Sequence, residues 1–211
     1  LNWPQLAAWA DYRKLIKVNQ HLFVRTLALL ASFAFFTAQG ALQGEIVLAA
    51  NAILIQLLLL TAFGMDGFAH ACEALVGDAI GKGRHREFIA ICLVCGQWAA
   101  LMAISFSASF YFTGQHILPL FSSIPEVLNT AKAYLPWLIV LPLLAAASYW
   151  LDGIFIGATQ SQAMQSTMLF SAIVVYLPCW YFTQHWGNHG LWFAFAAFNL
   201  ARSISLGIYF I

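Results

Sequence analysis

Residues 46–78 read IVLAANAILIQLLLLTAFGMDGFAHACEALVGD. The run from Ile46 to Met65 is almost purely apolar and, wound as a helix, matches the roughly 20 residues needed to cross a hydrocarbon layer about 30 Å thick. It then passes, with no turn signal, into Asp66, His70, Glu73 and Asp78. Ionisable groups inside a bilayer cost roughly 2.5 to 3.5 kcal/mol each on insertion scales. Those that persist in an apolar segment therefore face a cavity, a partner charge or an ion path, unless the helix has already emerged into water.

The rest of the chain has the same character. It is 62% hydrophobic, 16% aromatic and 8% charged, with a mean hydropathy of +0.80, too little polar surface to wet a soluble globule of 211 residues. An integral membrane protein is expected. The formal charge is +1 and the nine basic residues are scattered or loop-bound, so no footprint for nucleic acid is present. Leu1 to Lys17 carries its basic residues behind a mildly apolar stretch, the reverse of a secretory signal peptide, and reads as an internal segment of something longer.

Six segments are long and apolar enough to span: Leu22 to Leu42, Ile46 to about Val76, Phe88 to Phe112, Val127 to Gly157, Met164 to Phe182 and Leu191 to Ile211. The connections are short, which predicts an all-α, antiparallel six-helix membrane bundle. Arg13, Lys14 and Lys17 precede the first span and Lys82, Arg84 and Arg86 fill the second loop, while the first, third and fifth loops hold no Lys or Arg. Basic residues accumulate in short cytoplasmic segments, so the amino end is expected inside the cell. The second and fourth helices exceed the minimal span, and Gly64, Gly67, Pro136 and Pro142 are expected bending points.

Asp66, His70 and Glu73 are spaced i, i+4, i+7 and share one helical stripe, which leads back past Ala62 toward Asn51. Such a polar seam suits a water-filled path in which carboxylates exchange protons, with His70 able to titrate near neutral pH. A second Asp-Gly pair, Asp152-Gly153, occupies the corresponding inner end of the fourth helix and suggests a weak internal repeat of the kind transporters use. Tyr149, one turn before Asp152, is a candidate partner for it. Arg25 lies a few residues inside the first helix and is expected to snorkel to the inner surface. Arg202 lies deeper in the sixth, where an ion pair with Asp152 or Asp66 would offset its burial.

Enzyme chemistry finds little support. No Gly-x-Ser-x-Gly elbow, His-Glu-x-x-His motif or Gly-rich phosphate loop is present. Cys92-Leu93-Val94-Cys95 has redox-motif spacing but lies in an apolar helix, so it and Cys72 and Cys179 are expected to be packing residues.

Four stretches together resemble a known family. Phe23 to Leu29 (FVRTLAL), Leu48 to Leu54 (LAANAIL), Asp66 to Gly77 (DGFAHACEALVG) and Leu151 to Thr159 (LDGIFIGAT) are similar to the carboxy-terminal half of the multidrug and toxic compound extrusion (MATE) transporters, within them the DNA-damage-inducible protein F subfamily. The resemblance implies a twelve-helix antiporter of two six-helix lobes. Residues 1–19 would then be an inter-lobe linker and cytoplasmic helix, and 20–211 the second lobe.

It also implies export of bulky, cationic or amphipathic compounds by alternating access. Proton or sodium would be the coupling ion and a bacterial inner membrane the location. No cofactor is implied; the partners would be the amino-terminal lobe, membrane lipid and small-molecule substrates. The subfamily's coupling aspartate lies in the first lobe, outside this sequence. Other branches place acidic cation ligands on the first and fourth helices of the second lobe, and here only Asp152 matches. The expected proton-path or gate residues are thus Asp66, His70, Glu73 and Asp152, with Asn51 and Tyr149 lining the cavity and Arg202 as an ion-pair partner. The rivals are a lipid-linked oligosaccharide flippase of similar architecture and an intramembrane metal-dependent hydrolase built on His70 and Glu73.

Overall fold

The computed structural model describes residues 9–210. Of the expected inter-lobe linker and cytoplasmic helix at 1–19, positions 1–8 lie outside the described residues, and the helix described from Trp9 runs unbroken across positions 19 and 20. The elements are α1 (Trp9–Ala41), α2 (Glu45–Gly81), α3 (His85–Ile117), α4 (Pro125–Gly157), α5 (Ser161–Phe170), α6 (Leu177–Thr183) and α7 (Asn188–Phe210). A π-helical turn, Ser171–Tyr176, joins α5 to α6. Six rods result, each long and apolar enough to cross a membrane.

Rod ends follow the local chemistry. Gly44 at φ 108° and Gly83 at φ 66° adopt a backbone that side chains resist, which stops α1 and α2 and reverses the chain within a few residues. Pro125 starts α4, where its missing N–H has no helical partner to lose. Pro136 and Pro142 both lie within continuous α4. The π-helical turn was not anticipated. Pro178 follows it, and a ring that crowds the preceding turn and donates no N–H accounts for the local widening.

α4 is the hub, packing on α2, α3 and α7, while α1 packs mainly on α5. α2 and α4 meet backbone to backbone: a Cβ at Gly157 would lie 2.6 Å from the Glu73 carbonyl oxygen, and one at Gly153 would overlap that of Ala69. Small residues four apart permit this approach in lipid, where apolar burial gives helices no reason to associate and close contact must do so.

Two apolar clusters fill the bundle. The first includes Phe36, Leu54, Leu138, Leu141, Trp192, Phe195 and Phe198. The second includes Cys72, Val76, Cys92, Leu151, Ile154 and Leu206. Between them, at the level of Leu58 to Asp66 on α2, Leu141 to Asp152 on α4 and Phe195 to Arg202 on α7, lies a cavity.

Candidate functional site

The cavity has a volume of about 210 Å³ and is bordered by four of the six rods. α1 supplies Arg25, Leu29 and Phe33; α2 supplies Thr61, Met65 and Asp66; α4 supplies Pro142, Tyr149 and Asp152; α7 supplies Phe195, Asn199 and Arg202. Apolar walls carry a polar floor with two carboxylates and two guanidinia.

Asp152 is the centre of that floor. Its Oδ2 accepts hydrogen bonds from Nη2 of Arg25 and from Nη2 of Arg202, the latter at 3.2 Å. Oδ1 is buried with no partner among the described residues. The Arg202 guanidinium also lies 5.7 Å from the centre of the Phe198 ring, a cation–π contact that offsets part of its desolvation. Gly153, next in the chain, lets α4 meet the α2 backbone at Ala69, at the level of Asp152.

Arg25 departs from the sequence reading. It does not snorkel to the membrane surface; its guanidinium turns into the bundle to Asp152, and the side chain is only 17% exposed. An ionised carboxylate in apolar surroundings outcompetes the route to the interface. The signal available in the sequence was an arginine inside a span that also has an acidic residue at matching depth on another helix.

The stripe of Asp66, His70 and Glu73 divides. Asp66 borders the cavity. His70 and Glu73 turn away and pair with each other at 3.3 Å on the bundle's surface, with side chains 75% and 36% exposed. The α2 lining of the cavity ends at Asp66, and at 1.5 Å per residue His70 and Glu73 lie roughly 6 and 10 Å further along the helix, past the cavity edge. Among the described residues no group of three His, Cys, Asp or Glu is placed to hold a metal ion.

Asn51 does not border the cavity. It is 2% exposed beside the first apolar cluster, where its amide exchanges hydrogen bonds with Asn188 at 2.8 Å in both directions and its Oδ1 accepts the Trp192 indole N–H at 2.9 Å. Gly40 leaves room for it, since a Cβ there would lie 2.9 Å from the Asn51 amide nitrogen. A buried amide must find partners, and Asn188 and Trp192 on α7 supply them, so Asn51 ties α2 to α7. Tyr149 borders the cavity one turn from Asp152.

The sequence model of the MatE family matches residues 22–182. The chain belongs to the MatE family. It is 35% identical over 201 residues to DNA damage-inducible protein F of Escherichia coli, a match that takes in 94% of this chain and 43% of that protein. It is 23% identical over 189 residues to Protein DETOXIFICATION 42 of Arabidopsis thaliana, covering 86% of this chain and 35% of the relative. The fold matches a crystal structure of a mutant Vibrio cholerae MATE transporter, VcmN, with a TM-score of 0.87 at 15% identity, over 98% of this chain and 48% of that one. It also matches a crystal structure of MATE in the straight conformation, with a TM-score of 0.85 at 16% identity, over 94% of this chain and 45% of that one. This MatE chain thus spans less than half the length of these relatives. Within it, α1 brings a cation, the Arg25 guanidinium, to the shared carboxylate of α4.

Proposed function

We propose that this chain is one half of a cation-coupled exporter that moves bulky amphipathic or cationic compounds across a bacterial inner membrane by alternating access, with its amino end in the cytoplasm and proton or sodium as the coupling ion. The observation that carries this reading is the cavity itself: Asp66 and Asp152 border one space within a bundle of membrane-length helices, beside apolar and aromatic walls. Ionisable groups held at that depth are expensive, and a transport path accounts for the expense. Phe33, Phe195 and Leu29 offer an apolar surface to a hydrophobic cargo, and Asp66, in no ion pair among the described residues, offers a negative charge. An oligosaccharide flippase fits less well, because both arginines available to hold a lipid phosphate are engaged with Asp152.

The test is efflux of a fluorescent amphipathic cation from cells that express the full-length protein containing this chain. Asp66→Asn, at wild-type membrane levels, is expected to abolish export, whereas His70→Ala and Glu73→Ala are expected to leave most of it. Full export by a variant with alanine at Asp66, His70, Glu73 and Asp152 together refutes the reading.

A further inference from the structure

α1 and α4 share no extended interface, yet one polar contact joins them: the Arg25 guanidinium reaches Oδ2 of Asp152, the oxygen that Arg202 of α7 also contacts at 3.2 Å. Counting formal charges around the cavity gives Arg25 and Arg202 against Asp66 and Asp152; Thr61, Tyr149 and Asn199 add none. The sum is zero. In surroundings this poor in water an unbalanced unit charge is costly, and here balance is reached with side chains alone.

We propose that Arg25 acts as a tethered cation: its guanidinium occupies, at Asp152, the place that a coupling cation from solution would take. α1 then carries the counter-charge to the deep carboxylate of the lobe and withdraws it when it moves. This deepens the reading of the chain as half of a cation-coupled exporter and rests on it.

Two features of the geometry support the assignment. Oδ2 is already shared by two guanidinia, which leaves a free cation only Oδ1. A sodium ion at Oδ1 would face both guanidinia across one carboxylate and bring the cavity to +1, with like charges close together in a low dielectric. The charge also sits on the right element. α1 packs chiefly on α5, so loss of the Arg25 contact releases α1 from α4 without undoing a packed interface, and α2, α4 and α7 stay joined through their own contacts. Remove the Arg25 charge, and two carboxylates face one guanidinium; the site then carries −1 and gains a use for a small monovalent cation.

The experiment is thermal unfolding of the purified full-length protein containing this chain, with sodium chloride compared with choline chloride at equal ionic strength. Wild type and Arg25→Lys are expected to unfold at the same temperature in both salts. Arg25→Gln is expected to gain a saturable rise in sodium, about 3 °C at a concentration one hundred times its dissociation constant. Adding Asp152→Asn should remove that rise.

A saturable sodium response in the wild type that Asp152→Asn abolishes overturns the proposal, as does an Arg25→Gln protein indifferent to lithium, sodium and potassium alike. Should Arg25→Gln not accumulate, Arg25→Gln combined with Asp66→Asn restores neutrality. That variant is expected to accumulate and to ignore sodium; its failure to accumulate, or a sodium response from it, also overturns the proposal. Unfolding temperature does not depend on export, so the outcome is separable from the efflux test.

Discussion

Gly153 of α4 faces the carbonyl oxygen of Ala69 on α2 with no room between them for a methyl group. This contact sets the spacing of the two helices that carry Asp152 and Asp66, and with it the width of the cavity. Gly153→Ala must push α2 and α4 apart, because the obstacle is backbone and has no rotamer to escape into. The expected cost is that of overpacking, about 1–3 kcal/mol or more, read as a fall of several degrees in unfolding temperature. Gly67→Ala is the control. Nothing lies within 4 Å of a Cβ built there, so it is expected to be neutral or to stabilise by up to about 1 kcal/mol through helix propensity.

The pairing of Asn51 with Asn188 predicts non-additivity. Asn51→Ala strands the Asn188 amide and the Trp192 indole N–H in an apolar cluster, at a cost of roughly 1–3 kcal/mol per orphaned group. Asn188→Ala strands part of the Asn51 amide. With both replaced, only the Trp192 N–H is left over, so the double variant is expected to lose clearly less than the sum of the singles in a double-mutant cycle of unfolding free energies. Strict additivity would mean that the two amides do not act as one unit.

The bundle was legible because hydropathy and basic loops act through every residue of a span, and one misread side chain does not shift a rod. The site was legible only in part. Asp66, Asp152, Tyr149 and Arg202 were named from an acidic or polar residue at inner depth, and all four border the cavity. His70 and Glu73 were named from shared periodicity, which fixes a face of a helix but not which neighbour that face meets. Asn51 was named as a polar residue on the same stripe, and nothing in its own neighbourhood showed that Asn188, 137 positions away, would satisfy it. Arg25 was underrated because a chain position near a helix end does not show whether a long side chain points outward or inward. Gly153 enters the sequence reading only as half of an Asp-Gly repeat and Gly157 only as the end of a span, because a small residue does not show which backbone it will meet.

Orientation has a direct test. Cys95 and Cys179 are partly exposed and are replaced first with alanine; Cys72 and Cys92 are buried. A cysteine at Gln43 or Ser122, in loops free of Lys and Arg, is expected to react with a membrane-impermeant thiol reagent added outside intact spheroplasts. One at Arg84 should react only after lysis. The reverse pattern would invert the topology and place the Arg25–Asp152 contact in the outer half of the membrane.

The shared oxygen of Asp152 makes the sharpest energetic prediction. Asp152→Asn leaves Arg202, only 5% exposed, without its ion-pair partner, and loss of one partner from a buried ion pair costs about 3–5 kcal/mol. Arg202→Met costs less: Arg25 still meets Oδ2, and the methionine fills apolar space beside Phe198. Combining the two removes the buried pair together and leaves only Arg25, whose position near the start of the span lets it retreat toward the inner surface. The double variant is therefore expected to be more stable than Asp152→Asn alone, by an amount that thermal unfolding resolves. If the double is instead less stable than either single, Arg202 is held by partners other than Asp152 and the carboxylate is not the centre of the site.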